Sequence, residues 1–268
     1  MTTLSYAMRD STTMLRRNLR HMQRYPSLTI MLLGQPILLL LLFVYVFGGT
    51  LGDGLGPGGV GPGGVGGRAE YVGYVTPAIL LITITSAILG TSISVATDMT
   101  EGIINRFRTM AISRSSVLTG HVIGTVLQTV FALAVVLGVA LLIGFSPTAG
   151  PGEWLALIGV LLLVTVALTW FAVALGMKAK SVETASNTPM LFTLLPFLGS
   201  GFVPADSMPA WLGWFAEYQP FTPIIETMRG LLLGTGIGNG WLFAVGWCVL
   251  ITAVGYVWSK SLFAKERD

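Results

Sequence analysis

Six long apolar stretches dominate this sequence of 268 residues. All but the fifth exceed the roughly 18 residues that mark a candidate membrane-spanning helix. Only 10% of the residues are charged, whereas soluble domains carry about 25%, so the chain cannot build a soluble surface. The sequence therefore predicts an all-α membrane protein with six transmembrane helices, at residues 28–48, 72–97, 117–145, 153–176, 187–203 and 240–262.

The fifth stretch has the least defined ends. It is short and contains Pro189 and Pro196. Proline breaks a water-exposed helix, but a membrane helix tolerates it where neighbouring helices satisfy the freed backbone groups. We therefore retain this stretch as a span.

Lys and Arg residues lie almost entirely on one side of this six-span arrangement. Only Arg68 and Arg229 fall on the other side. Because cytoplasmic loops carry an excess of Lys and Arg, this pattern predicts an inner-membrane protein of a bacterial cell with both termini in the cytoplasm. The cytoplasmic set is Arg9, Arg16, Arg17, Arg20, Arg24, Arg106, Arg108, Arg114, Lys178, Lys180, Lys260, Lys265 and Arg267.

The first 25 residues predict an amphipathic connecting helix at the membrane surface. Apolar side chains from Leu4 to Met22 share one helical face, and arginines share the opposite face. A solvated basic leader is the alternative. A cleavable signal peptide fits less well, because the following apolar run of about 20 residues exceeds the usual 7 to 15.

The segment 49–70 is predicted to be a flexible external loop. Twelve glycines occur in the twenty residues from Gly48 to Gly67, and Gly-Pro-Gly-Gly-Val is repeated at 56–60 and 61–65. Such a segment has too little apolar side chain to pack.

The segment 202–236 predicts an external re-entrant helical hairpin before the last span. It is too long and aromatic for a simple turn, and its apolar part is too short to cross a bilayer. Trp211 and Trp214 suit the membrane interface. Glu226 and Arg229 stand three residues apart, a spacing at which an ion pair can form on a helix.

Several kinds of chemistry have no residues to support them. The sequence contains no Gly-x-x-x-x-Gly-Lys-Ser/Thr loop, so this chain has no nucleotide site of its own. Two histidines and one cysteine, Cys248, give no metal cluster. Gly199-Ser200-Gly201 lacks the first glycine of an intramembrane protease motif. We expect no enzymatic activity, cofactor or metal in this chain. We also expect no nucleic-acid partner, because the basic residues lie beside or between the apolar stretches, where they determine membrane orientation.

The predicted membrane core contains no carboxylate. Asp98, Glu101 and Glu153 lie at the ends of spans. Pumps driven by protons or sodium usually need such groups near the bilayer middle. A secondary transporter is therefore disfavoured, and an energy source on another chain is expected.

Two helices carry polar stripes within the membrane. Thr83, Ser86 and Ser94 share a face of the second span, and Gln128 lies on the third. Small and hydroxyl residues commonly allow close helix packing. The alternative is that they line a dimer interface or a path for an amphiphilic substrate.

The cytoplasmic segment 98–116 predicts a short helix with Ile103, Phe107 and Met110 on one face. A helix of this kind can insert into a groove on a partner protein. Anchoring at the membrane surface is the alternative.

This segment resembles the coupling segment of type-2 ABC exporter permeases, particularly the daunorubicin-resistance branch of drug exporters. The resemblance rests on Glu101-Gly102 followed by Ile-Ile-Asn-Arg-Phe-Arg-Thr-Met-Ala-Ile-Ser-Arg. It rests also on Phe-Val-Pro-Ala-Asp-Ser-Met-Pro-Ala-Trp-Leu, Gln-Pro-Phe-Thr-Pro and Met-Arg-Gly-Leu-Leu-Leu-Gly in the hairpin. Ala111 and Gln219 stand where many members have Pro and Asn.

The resemblance implies a permease that exports an antibiotic or a similar amphiphile and that contacts membrane lipid. It implies two copies of a separate cytoplasmic ATPase that holds ATP and Mg, and a second permease copy, most simply as a homodimer. A lipid or polysaccharide permease and a non-transporting scaffold are the rival interpretations. The residues implied to face the ATPase are Glu101, Gly102, Arg106, Phe107, Arg108 and Arg114.

Overall fold

The computed structural model describes residues 26–48, 68–100 and 114–265. Within these ranges the regular structure is helical, and no strand occurs. The predicted amphipathic helix 1–25, most of the loop 49–70 and most of the coupling segment lie outside them. The helices are α1 (Pro26–Leu41), α2 (Arg68–Thr100), α3 (Arg114–Leu142), α4 (Pro151–Lys178), α5 (Val182–Leu194), α6 (Ala210–Tyr218), α7 (Phe221–Leu233) and α8 (Gly240–Lys265).

Four of the described helices are long and apolar enough to cross a bilayer. They are Glu70–Thr100, Val122–Leu142, Pro151–Lys178 and Gly240–Leu262. The first and fifth predicted spans are represented by shorter helices. α1 continues as a π-helix over Leu42–Phe47, and α5 ends in a 3-10 turn over Leu195–Leu198. The all-helical class is therefore confirmed, and four of the six expected spans coincide with helices long and apolar enough to cross a bilayer.

α2 is the central helix of the described fold. It contacts α1, α3, α4, α5 and α7. Between residues 70 and 100, the only exposed positions are Glu70, Gly90, Ser94 and Thr100. The remaining face contributes many of the fully buried side chains of the main core, which includes Val75 and Ile82.

Small residues bring the long helices into close contact. A Cβ on Gly176 of α4 would lie 2.6 Å from the Ser92 carbonyl oxygen of α2. A Cβ on Gly255 of α8 would lie 2.7 Å from the Phe171 backbone nitrogen of α4. Because lipid provides no hydrophobic drive between helices, such backbone contacts stabilise a membrane bundle through van der Waals packing.

Replacing Gly255 with alanine is expected to loosen α8 from α4. The added methyl group would overlap backbone atoms of α4, which cannot move aside like a flexible side chain, and overpacking of this kind costs about 1–3 kcal/mol. Gly246→Ala on the same helix is the matched control, since nothing lies within 4 Å of its Cβ position. Thermal unfolding in detergent measures the difference, and equal midpoints for the two variants would contradict the close contact.

α6 and α7 follow each other but differ in burial. Most of α7 is buried, and it packs on α2, α4 and α8. α6 exposes Trp211 and Trp214, and only Ala216 of its residues is buried. At 1.5 Å per residue, the 13 residues of α7 cannot cross a hydrocarbon core of about 30 Å.

The chain leaves α7 through a defined turn. Gly234 has a φ of 64°, a left-handed conformation that glycine adopts without a Cβ penalty. The Thr148 backbone N–H donates to the Leu232 carbonyl at 3.0 Å and satisfies one of the orphan acceptors at this helix end. The α3–α4 connection thus fixes the end of α7.

Candidate functional site

The structure does not describe most of the predicted coupling residues. Glu101, Gly102, Arg106, Phe107 and Arg108 lie outside the described residues. Arg114 is the first residue of α3, and its side chain is likewise outside the description. The assignment of these six residues to an ATPase contact stays a prediction.

The predicted polar stripe on α2 divides into a buried and an open part. Thr83 is fully buried, and its hydroxyl donates to the Ile79 carbonyl at 2.8 Å. Ser86 is half-buried and donates to the carbonyl one turn earlier. Ser94 is exposed, as is the intervening Gly90, and Gln128 on α3 is half-buried. Thr83 therefore packs inside the bundle, whereas Gly90 and Ser94 lie on an open strip of α2.

A second polar seam joins α2 to α3. The hydroxyls of Thr91 and Thr125 lie 2.8 Å apart, and both residues are buried. Hydroxyl pairs of this kind stabilise contacts between membrane helices. For this part of α2, the packing interpretation of the polar residues is the one that the contacts support.

Arg229 of α7 is held at a junction with α2 and the chain after α5. Its guanidinium carbon lies 3.7 Å from the centroid of the Tyr74 ring. Nη2 donates to the Ser200 carbonyl at 2.7 Å, and Nη2 and Nε donate to the Tyr74 carbonyl at 3.2 and 3.3 Å. The Tyr74 hydroxyl also donates to the Ser200 carbonyl, at 3.0 Å. We call these three residues the Arg229 junction.

Glu226 is near enough to act on the Arg229 guanidinium through its charge, but the hydrogen bonds of Arg229 go to other groups. The Glu226 side chain is exposed, and the Arg229 donors reach backbone carbonyls instead. A guanidinium stays protonated at physiological pH and needs acceptors when it is taken out of water. The carbonyls and the aromatic face of Tyr74 supply that compensation.

Local sequence explains how the junction forms. Pro77 has no N–H for the α2 ladder, so the carbonyl of Gly73, the residue before Tyr74, lacks its usual helical donor. Glycines flank Ser200 on both sides. A Cβ on Gly201 would lie 2.8 Å from the Ala78 Cβ, and one on Gly199 would lie 2.6 Å from Gln219 Nε2. Only glycine lets this segment pass so close to both neighbours.

Sequence reasoning did not find Tyr74, Ser200 or Thr222 as site residues. The Thr222 hydroxyl accepts from the Ser200 backbone N–H at 3.3 Å and so attaches the start of α7 to the same segment. The available signal was Gly199-Ser200-Gly201, because paired glycines in an apolar segment indicate close backbone approach.

Two groups of aromatic residues differ in exposure, one on α6 and one around Phe202. Trp214 and Tyr218 of α6 lie with ring centroids 5.3 Å apart, and both are exposed. Phe43 contacts Phe202 at 4.2 Å, and Phe197 stacks on Phe202 at 4.7 Å. The Phe202 group packs the 197–202 segment against the π-helical extension of α1, and the α6 group stays available to lipid or solvent.

The described residues contain no group of three or more His, Cys, Asp and Glu that could hold a metal ion. Cys248 is buried in the main core, as expected of a small packing residue. Glu153 accepts from the Gly150 backbone N–H at 2.6 Å and caps α4. These residues have structural roles.

Comparison with known proteins places the chain in a family. Residues 10–233 match the family described as "ABC-2 type transporter". The daunorubicin resistance ABC transporter permease protein DrrB1 of Streptomyces coeruleorubidus is 29% identical over 228 residues, which are 83% of this chain and 75% of that protein. The probable doxorubicin resistance ABC transporter permease protein DrrC of Mycobacterium tuberculosis is 23% identical, over 66% of this chain and 67% of its own length.

A more distant relative shares only part of its length. The ABC transporter G family member 20 of Dictyostelium discoideum is 26% identical over 75% of this chain, which corresponds to 28% of that protein. The family match extends from the N-terminal segment to the end of α7 and includes three of the four long apolar helices. This chain, a multi-pass membrane protein, therefore belongs to the ABC-2 type transporter family.

Proposed function

We propose that this chain is the permease subunit of an ABC exporter that moves an amphiphilic compound, such as an antibiotic, out of the cytoplasm or the inner leaflet. The similarity to two permeases named for daunorubicin and doxorubicin resistance carries this proposal. Four long apolar helices, among which α2 packs against α3 and α4, provide a membrane domain of the required kind.

A separate ATPase subunit supplies the energy under this proposal. The sequence has no nucleotide-binding loop, and the relatives are named as permease proteins of ABC transporters. Two ATPase copies would bind ATP and Mg and contact the segment 98–116. Glu101, Gly102, Arg106, Phe107, Arg108 and Arg114 would form that contact.

A second permease copy, in a homodimer, would complete the path. α2 is covered by its neighbours except for a narrow strip that includes Gly90 and Ser94. Small residues on an otherwise buried helix allow another helix or a flat substrate to approach closely. Ser86 and Gln128 would border that strip, and Thr83 would support it from within the bundle.

The proposed topology has six spans with both termini in the cytoplasm. α1 with its π-helical extension and α5 with its 3-10 turn would add the first and fifth spans to the four long helices. α6 and α7 would form a re-entrant hairpin on the outer side. Exposed Trp211 and Trp214 suit a membrane interface there.

Cysteine labelling tests the topology. We expect Val60→Cys, in the glycine-rich loop, to react with a membrane-impermeant thiol reagent added to intact cells. The wild-type chain is the control, because its single cysteine, Cys248, is buried and should stay unlabelled. Labelling of Val60→Cys only after cell lysis would overturn the orientation.

Transport by inside-out vesicles tests the function. Vesicles that contain the chain and its co-expressed ATPase should accumulate radiolabelled daunorubicin when ATP is added. An ATPase whose P-loop lysine is replaced provides the control, since it binds the permease without supplying energy. ATP-independent uptake, or none above that control, would contradict the proposed function.

A further inference from the structure

Lys178, the last residue of α4, places its ammonium against an aromatic ring of a neighbouring helix. Its Nζ lies 5.4 Å from the centroid of the Trp258 ring on α8. Lys178 is exposed, and among the described residues no carboxylate or other hydrogen-bond acceptor pairs with it. An ammonium has three donors, and a ring face engages only one side of it. The charge therefore remains open to an acceptor from outside the chain.

The Trp258 ring connects this ammonium to the apolar part of α4. The same ring lies against Phe171, with centroids 5.8 Å apart, so the ammonium cannot extend far beyond the end of the helix. The 28 residues of α4 span about 42 Å at about 1.5 Å per residue, against a hydrocarbon core of about 30 Å. A centred α4 thus places Lys178 among lipid headgroups and Phe171 at the level of acyl chains.

Three half-buried rings form an apolar strip beside this lysine. Phe171 contacts Trp258 of α8 and also Phe192 of α5, the latter with centroids 5.2 Å apart. α8 packs extensively on α4, whereas α5 packs mainly on α2 and makes at most marginal contact with α8 within the described ranges. α5 and α8 are therefore the walls, and Phe171 is the floor, of a shallow groove. Lys178 stands at its end.

We propose that this groove binds an anionic phospholipid, with the phosphate at Lys178 and an acyl chain along the three rings. Charge complementarity selects the headgroup, because an ammonium without a partner attracts a net negative charge, and basic pockets between membrane helices bind such headgroups. Tryptophan suits the depth at which headgroups meet acyl chains. Lys180, exposed two residues later, adds a second positive charge near the same helix end. The inference concerns lipid binding and is independent of the compound exported.

Lys178→Gln tests the headgroup contact. The purified full-length chain is titrated with phosphatidylglycerol and, separately, with phosphatidylcholine, and native mass spectrometry measures the affinity for the first lipid bound. The wild-type chain should prefer phosphatidylglycerol. The variant should bind phosphatidylglycerol about fivefold more weakly, the effect of one lysine near an anionic headgroup, with phosphatidylcholine binding unchanged. Because Lys178 is exposed, the lipid-free variant should keep the wild-type thermal midpoint.

Lys260→Gln is the matched control. Lys260 is an exposed lysine near the end of α8, and within the described part of the chain its ammonium contacts no aromatic ring. This variant should keep wild-type affinity for both lipids. Equal losses of phosphatidylglycerol affinity in the two variants, or no loss in Lys178→Gln, would overturn the inference. A lower dimer fraction in Lys178→Gln, at unchanged lipid affinity, would assign the groove to a second permease copy instead. The vesicle assay tests ATP-driven export separately from each of these outcomes.

Discussion

Arg229→Ala should abolish transport and destabilise the fold more than any other single change at the junction. It removes three charge-assisted hydrogen bonds and the stacking on Tyr74. It also leaves carbonyls of Tyr74 and Ser200 buried with fewer donors. The expected loss is on the order of 3–5 kcal/mol, from charged hydrogen bonds at about 1.5–3 kcal/mol each and a partly redundant cation–π contact. Thermal unfolding and vesicle transport measure the two effects.

Two further variants test whether the hydrogen bonds and ring stacking of Arg229 matter, or only its positive charge. Arg229→Lys keeps the charge but loses the planar fork that reaches two carbonyls and stacks on the ring, so it should recover only part of the stability. Glu226→Gln on the same helix should have a much smaller effect, because that carboxylate is exposed and acts on Arg229 through its charge alone, which water screens. Equal damage from Glu226→Gln and Arg229→Ala would instead support an ion pair between them.

Arg106→Ala combined with Arg108→Ala should uncouple the permease from its ATPase. The segment 98–116 carries apolar and basic residues suited to a groove on a partner. Loss of both arginines should reduce ATPase stimulation to the level of the ATPase alone and should weaken complex formation. Co-purification yield and ATP hydrolysis measure the two effects.

Lys260→Ala combined with Lys265→Ala is the control for the uncoupling experiment. It removes the same number of positive charges from the proposed cytoplasmic side and therefore tests whether a change in topology explains the result. We expect this variant to keep the complex and its activity. Full stimulation in the Arg106 and Arg108 double variant would disprove the coupling assignment.

Composition and apolar run length were sufficient to predict the helical membrane class. Long uninterrupted apolar runs have few alternatives, because a bilayer requires every backbone polar group to be satisfied within the segment. α5 was harder to predict, since prolines and 3-10 geometry shorten its regular part to 13 residues. Its status as a span depends on neighbouring helices rather than on its own sequence.

The partners of Arg229 could not be predicted from local spacing. Glu226 is one turn away, whereas Tyr74 and Ser200 are 155 and 29 residues distant. Tertiary contacts at such separations leave no periodic signal in a single sequence. The paired glycines around Ser200 indicated only that some backbone approaches closely, not which one.

The division of the α2 stripe has a similar cause. Thr83, Gly90 and Ser94 share one helical face, so periodicity treats them alike. The segment 199–201 and α7 contact α2 at Gly73, Tyr74 and Ala78, and Thr83 is nearest to that covered part. Burial therefore changes along the axis of the helix. Helical periodicity predicts only which face a residue occupies, so it cannot predict this change.

Co-purification from the native host tests the central claim most directly. The tagged chain, solubilised in mild detergent, should bring down a cytoplasmic protein with a Gly-x-x-x-x-Gly-Lys-Ser/Thr loop in equal molar amount, and the purified complex should hydrolyse ATP. A chain that purifies alone and shows no ATP hydrolysis would contradict the account of a permease powered by a separate ATPase.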